Sequence, residues 1–182
     1  MPKSRGTRLV ILCEDLQQEV FARHYFLLRG FHRREISSVI APQGRGAGEQ
    51  FVRERFAVEV REQRRQVTHQ SVALVVLIDA DTQPVHQRKN TLDNTLQSSG
   101  QVTRRADERI AIVVPKRNIE TWIAYPNDPL VNETHIYPKL VKETDCLPAV
   151  RIFVARICRQ GLPQEALVSL QDACIELRRI IP

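Results

Sequence analysis

The sequence contains no hydrophobic run near the length of about 20 residues that is needed to cross a bilayer. Residues 1–5 are basic, but the apolar stretch behind them is short and ends at Glu14, which does not fit a secretory signal peptide. There is also no internal repeat and no low-complexity tract. We therefore expect a cytoplasmic protein with no membrane partner.

The chain also lacks the paired cysteine spacing that is typical of zinc sites. Cys13 falls in a predicted buried strand, which favours a core thiol over a metal ligand. We expect all cysteines to be reduced, as is usual in the cytosol. They are Cys13, Cys146, Cys158 and Cys174.

The composition is that of an ordinary globular protein, with 182 residues, 42% hydrophobic and 26% charged. This length predicts one compact domain with a full core and an appendage. The net charge of +6 and the numerous arginines favour an anionic partner, with nucleic acid as the first candidate. A charge of this size is also compatible with solubility alone.

Short apolar runs alternate with segments of helical periodicity, which predicts an α/β fold. We expect a parallel sheet of about four strands with helices on both faces. The predicted strands are residues 8–13, 36–41, 72–78 and 109–114, and the predicted helices are 15–28, 49–65, about 85–97 and 118–124.

After residue 125 the alternation of strands and helices stops, and prolines divide the chain into loops and short helices. This change predicts a sheet domain over residues 1–125 and a helical extension over 126–182. Two helical segments, 147–160 and 164–179, carry apolar stripes that include Phe153, Ile157 and Leu170. Two interpretations remain open. The stripes contact a second copy or a partner protein, or they fold back onto the sheet domain.

Acidic residues stand where two of the predicted strands end. Asp79 and Asp81 follow the third strand with one residue between them, so their side chains leave it on the same side. Glu14 ends the first strand, and parallel strands would bring it beside the aspartates. Such carboxylates repel one another unless a cation lies between them, which predicts a Mg²⁺ or Mn²⁺ site suited to phosphodiester chemistry. The alternative is a simple loop entry, since aspartate favours turns.

Glu14 after the first strand and Asp79-Ala80-Asp81 after the third resemble the signature of the Toprim domain, over residues 8–125. Residues 114–122 are similar to small stand-alone Toprim-like proteins of bacterial defence loci, akin to the nuclease half of overcoming-lysogenisation-defect (OLD) proteins. The resemblance implies a Mg²⁺-dependent endonuclease that cleaves DNA or RNA as an antiphage effector, with an ABC-type ATPase partner. It implies Glu14, Asp79 and Asp81 as metal ligands and Glu120 as a further acid near the metal.

Two positions depart from the Toprim pattern. The family usually has glycine directly after the first glutamate, where this chain has Asp15. Topoisomerases and primases have a glutamate two residues after the second aspartate, where this chain has Gln83. These departures argue against a topoisomerase or primase. They leave open a nuclease, or a degenerate member that binds without cutting.

Several basic residues are candidates for phosphate contacts. Lys116 follows the fourth strand, and beside a metal it would neutralise charge that builds on a scissile phosphate. A glycine-rich loop at residues 44–48 precedes a helix and either cradles a phosphate or is a flexible turn; it matches neither a P-loop nor a dinucleotide fingerprint. The arginines predicted to bind nucleic acid are Arg45, Arg104, Arg105 and Arg117.

The sequence therefore favours a metal-dependent nuclease in which Glu14 also serves as a base. Two other classes stay open. One is a catalytically weak binding or regulatory subunit of an ATPase complex, and the other is a metal-dependent phosphatase or phosphotransferase acting on a small molecule. A homo-oligomer is a further expectation.

Overall fold

The computed structural model describes residues 6–44, 47–157 and 162–181. Its centre is a four-stranded, all-parallel sheet with the strand order β2-β1-β3-β4. All six residues of β3 are buried, as expected for a parallel strand that is covered on both faces. The strands are β1 (Arg8–Cys13), β2 (Ile36–Ile40), β3 (Val72–Leu77) and β4 (Ile110–Val113).

Six α-helices flank the sheet in the described part of the chain, so the predicted α/β class is confirmed. They are α1 (Leu16–Leu28), α2 (Gly48–Gln66), α3 (Val85–Ser98), α4 (Ile119–Ala124), α5 (Leu147–Ala155) and α6 (Val168–Leu177). Short 3₁₀ turns stand at Arg33–Glu35, Tyr125–Asn127 and Glu143–Cys146.

The helices divide between the two faces of the sheet because successive strand side chains point to opposite faces. Val75 and Leu77 of β3 pack in one apolar cluster with α1, α4, α5 and α6. Leu74 and Val76 pack in the other cluster with α2 and α3. The core therefore has two layers, and β3 contributes to both.

The strand order reverses beside β1, and this reversal positions the candidate site. The chain leaves β1 toward β2 on one side and returns to β3 on the other side. In open parallel sheets, such a switch point leaves a crevice outside the carboxyl ends of the two central strands. Glu14 directly follows β1, and Asp79 lies two residues after β3.

The apolar stripes of the helical extension are buried in the chain's own core. Phe153, Ile157 and Leu170 are 3%, 8% and 1% exposed, and the ring of Phe153 meets that of Phe21 edge to face at 5.3 Å. The prediction that these three residues form a docking surface is therefore wrong, and the alternative, in which the stripes fold back, is the one observed.

Two further expectations can be compared with the structure. None of the helices in the described ranges is long and apolar enough to span a membrane. Cys13 and Cys146 are free and buried, whereas Cys174 is disulfide-bonded. The expectation that every cysteine is reduced is therefore wrong for Cys174.

Candidate functional site

A cleft of about 700 Å³ lies at the carboxyl edge of the sheet, at the switch point between β1 and β3. Its walls come from the ends of β1 and β3, the loop after β2, the first residue of α2, the start of α4 and one residue of the extension. Five of the fourteen described residues that line it are acidic, which makes it a candidate for binding a cation. The acids are Glu14, Asp15, Asp79, Asp81 and Glu120.

Glu14 and Asp79 are in direct contact. The Oε1 atom of Glu14 accepts a hydrogen bond from the backbone N–H of Asp79 at 2.5 Å. The first and third strands thus bring their terminal acids together, as the sequence pattern predicted. Asp81 lines the same cleft.

Gln18, in the first turn of α1, joins these acids and was not predicted from the sequence. Its side chain is fully buried; Nε2 donates to Oδ1 of Asp79, and Oε1 accepts from the backbone N–H of Glu14, both at 2.9 Å. Its own backbone N–H donates to Oδ1 of Asp15, the N-cap of α1. The only signal available in the sequence was its position four residues after Glu14.

Asp81 has a different environment from Asp79. Its backbone is in the left-handed region (φ 52°), where aspartate is more readily accommodated than most residues, and its side chain is 66% exposed. Its Oδ2 lies 3.6 Å from Nη2 of the buried Arg88, which also pairs with Glu49 of α2 at 2.5 Å. A backbone bridge to Arg117 joins the loop after β3 to the loop after β4.

The pKa values of Glu14, Asp79 and Glu120 are all raised above their usual values. Burial raises the pKa of Glu14 to about 7; the Asp79 amide opposes this shift, and the charges of Asp81 and Asp15 add to it. The pKa of Asp79 is also raised well above its usual value, by burial and then by the charge of Glu14. Burial likewise raises the pKa of Glu120. Such clustering of desolvated carboxylates is typical of functional sites.

Within the described residues, no three His, Cys, Asp or Glu side chains are arranged to hold one metal ion. The cause is visible in the contacts, because Glu14 faces the amide of Asp79, Gln18 holds Asp79, and Asp81 faces Arg88. The donor chemistry, carboxylate oxygens alone, fits Mg²⁺ or Mn²⁺. A shared ion therefore requires at least one of these carboxylates to rotate.

Gly48 lets α2 begin directly against Glu14. A Cβ atom at position 48 would lie 2.8 Å from both Cβ and the carbonyl oxygen of Glu14, too close for any side chain. Gly44, in the same loop, has a left-handed φ of 75°. Arg45 and Gly46 lie outside the described residues, so the predicted phosphate contact of Arg45 stays a prediction.

Of the predicted site residues that follow β4, Glu120 lines the cleft, whereas Lys116 and Arg117 do not. Glu120 is only 4% exposed. The ammonium group of Lys116 donates to the backbone carbonyl of Gln83, and Arg117 donates to the carbonyl of Thr134 at 2.9 Å. Lys139, which was not predicted, also lines the cleft.

Arg104 and Arg105, two of the arginines predicted to bind nucleic acid, do not line the cleft with the acids. The guanidinium of Arg104 is 6% exposed and pairs with Glu176 at 2.8 Å, while Arg105 pairs with Asp107 at 3.3 Å. The physical reason is the path of the chain, because α3 returns it to the amino ends of the strands before β4 begins.

No protein-family model, curated protein or solved structure matches this chain. The similarity to Toprim domains therefore depends on Glu14, Asp79 and Asp81 and on their positions after β1 and β3. It remains a prediction.

Proposed function

We propose that the chain is a metal-dependent nuclease of Toprim type that cleaves phosphodiester bonds in DNA or RNA. One observation carries the proposal: Glu14 at the end of β1 contacts Asp79 beyond the end of β3, in a cleft that Asp81 also lines. The basic net charge of +6 supports a polyanionic substrate.

Each residue of the acidic site has a distinct role in the proposed reaction. Glu14, Asp79 and Asp81 would hold Mg²⁺, which supplies Lewis acidity and an activated water. Gln18 keeps Asp79 oriented through its 2.9 Å hydrogen bond. Glu14 would take the proton of the attacking water, because a carboxylate with a pKa near neutrality is suited to general-base work.

The test is cleavage of labelled single strands and duplexes of DNA and RNA with Mg²⁺, Mn²⁺ or EDTA. We expect metal-dependent cleavage that falls to background in Asp79→Ala, while the melting temperature stays close to that of the parent, since the removal of one repelling carboxylate offsets the loss of the hydrogen bond from Gln18. The matched control is Asp107→Ala, an exposed aspartate at the opposite edge of the sheet. Equal cleavage by Asp79→Ala and the parent would contradict the proposal, and a large loss of stability would make Asp79 structural.

A second candidate is a binding or regulatory subunit of an ATPase complex. The observation that favours it is the absence, within the described residues, of a preassembled three-carboxylate metal site. It predicts no cleavage with any metal or substrate. It also predicts stable co-purification with an ABC-type ATPase, if one is encoded beside this chain.

The role of antiphage effector, acting with such an ATPase, extends the first candidate. It predicts that cleavage by the purified chain increases when the ATPase is added. Cleavage that is identical with and without the ATPase would argue for a nuclease that acts alone.

A further inference from the structure

The acidic lining of the cleft would repel the phosphates of a nucleic-acid substrate. Five carboxylates line it, and a phosphate entering it would be repelled wherever a metal does not intervene. Lys116, the lysine predicted for this purpose, does not line the cleft, and its ammonium group is bonded to the carbonyl of Gln83. Another cation is therefore needed.

Lys139 is the one basic residue among the described residues that line the cleft. Its side chain is exposed, and it makes no hydrogen bond or ion pair within the described part of the chain. Its positive charge acts on Glu120, whose pKa it lowers against the larger effect of burial. The lysine thus lines the same cleft as the acids and is available to a ligand.

The segment that carries Lys139 is fixed to the site by hydrogen bonds. Nδ2 of Asn118 donates to the carbonyl of Tyr137 at 3.4 Å, and Arg117 donates to the carbonyl of Thr134 at 2.9 Å. The hydroxyl of Tyr137 accepts from the backbone N–H of Asn132 at 3.0 Å. These bonds attach residues 132–139 to the loop that leads into Glu120, so the extension supplies one wall of the cleft.

We propose that Lys139 binds a backbone phosphate of the nucleic acid and so positions the strand against the acidic residues. The inference rests on the proposed nuclease function and adds to it a substrate-binding residue from the helical extension. The contact is with phosphate, so it contributes affinity without sequence preference.

The experiment measures binding of labelled DNA and RNA strands and duplexes as a function of salt, with Ca²⁺ in place of Mg²⁺ to limit cleavage. Each phosphate contact contributes about 0.9 to the slope of log K against log salt for duplex DNA and about 0.7 for single strands. We expect Lys139→Ala to bind more weakly and to lose one such increment, and Lys139→Arg to retain it. Lys142→Ala, an exposed lysine three residues further on, is the matched control and should equal the parent.

Three outcomes distinguish a failure of the Lys139 inference from a failure of the proposed nuclease function. If the parent binds none of the probes, the proposed function fails. If the parent binds and Lys139→Ala keeps the full salt slope, the inference about Lys139 is overturned while the nuclease proposal stands. An equal loss in Lys142→Ala would also overturn it, because the effect would then be one of general charge.

Discussion

At the scale of single residues, Gln18 holds the acidic site together. Its side chain bonds both Glu14 and Asp79 while being fully buried. We expect Gln18→Leu to lower the free energy of unfolding by about 1–3 kcal/mol, because it leaves a buried amide and a buried carboxylate without partners. Urea denaturation measures this. Gln50→Leu, which removes an exposed hydrogen bond to Glu54, should change stability by less than about 0.5 kcal/mol, and an equal loss in both variants would contradict the prediction.

The raised pKa of Glu14 determines how its contribution to stability depends on pH. Its pKa is about 7 in the folded chain and near the ordinary 4.5 when unfolded, so the folded state binds the proton more tightly. Stability from this group is present at low pH and is lost as pH rises through that interval, by at most about 1.4 kcal/mol per pH unit. The raised pKa of Asp79 acts in the same direction.

We expect Glu14→Gln to flatten this dependence. The amide oxygen of glutamine can still accept from the Asp79 N–H, but it does not ionise and removes one charge that acts on Asp79. Chemical denaturation at several pH values, without divalent metal, measures the slope. A slope equal to that of the parent would show that Glu14 does not titrate in this range.

The acidic strand ends could be predicted from sequence, because strand ends are local and parallel pairing gathers them at one edge. The contacts that shape the site could not. Gln18 meets Asp79 across 61 residues of sequence. Lys139 reaches the cleft only through the fold of the extension, and nothing in its immediate neighbours marks it.

At the scale of elements, apolar runs and helical periodicity located every strand and the first four helices to within one or two residues. Only the pairing of β1 with β3 was predicted, from the acids at their ends; the full order β2-β1-β3-β4 was not, because the sequence pattern does not state where the other strands lie. The amino-edge position of Arg104 and Arg105 does not depend on that order, because parallel pairing alone places the segment before β4 at the edge opposite the acids.

The outer edge of β4 is covered by α6 through a buried carboxylate. Oε2 of Glu176 accepts from the backbone N–H of Ile112 at 2.9 Å and from Arg104 at 2.8 Å, and Oε1 pairs with Lys89. The bond satisfies an edge N–H that β4 would otherwise leave unpaired. Glu176 therefore joins α6 to β4 and, through Lys89, to α3.

We expect Glu176→Ala to destabilise the chain by about 2–4 kcal/mol, because it leaves the Ile112 amide without a partner and leaves the buried Arg104 with Asp93 as its remaining carboxylate. Thermal or urea unfolding measures the loss. Asp172→Ala is the control, because that carboxylate pairs with the same Lys89 but is 29% exposed; its loss should be below about 1 kcal/mol. Similar losses in the two variants would contradict a special role for the edge bond.

At the scale of the whole molecule, the helical extension completes the core. The cluster on one face of the sheet contains residues from β1, β3 and α1 together with residues from α5 and α6. Nε1 of Trp122 donates to Oγ of Ser169 at 2.8 Å, which fixes α4 against the start of α6. Removal of the extension would therefore expose one face of the sheet and much of α1 to water.

A fragment of residues 1–125 tests whether the sheet folds without the extension. We expect it to retain helical far-UV circular dichroism but to lose near-UV signal and bind a hydrophobic dye, because Phe21, Tyr25 and Trp122 lose their apolar neighbours. Adding residues 126–182 as a separate peptide should restore a cooperative transition, since the missing face is then supplied in trans. The matched control is the full chain with Leu130→Ser, which alters an 82% exposed residue of the extension and should melt like the parent. A fragment that unfolds cooperatively without the peptide would show that residues 1–125 are an independent domain, and that the extension adds a wall to the cleft without being needed for the fold.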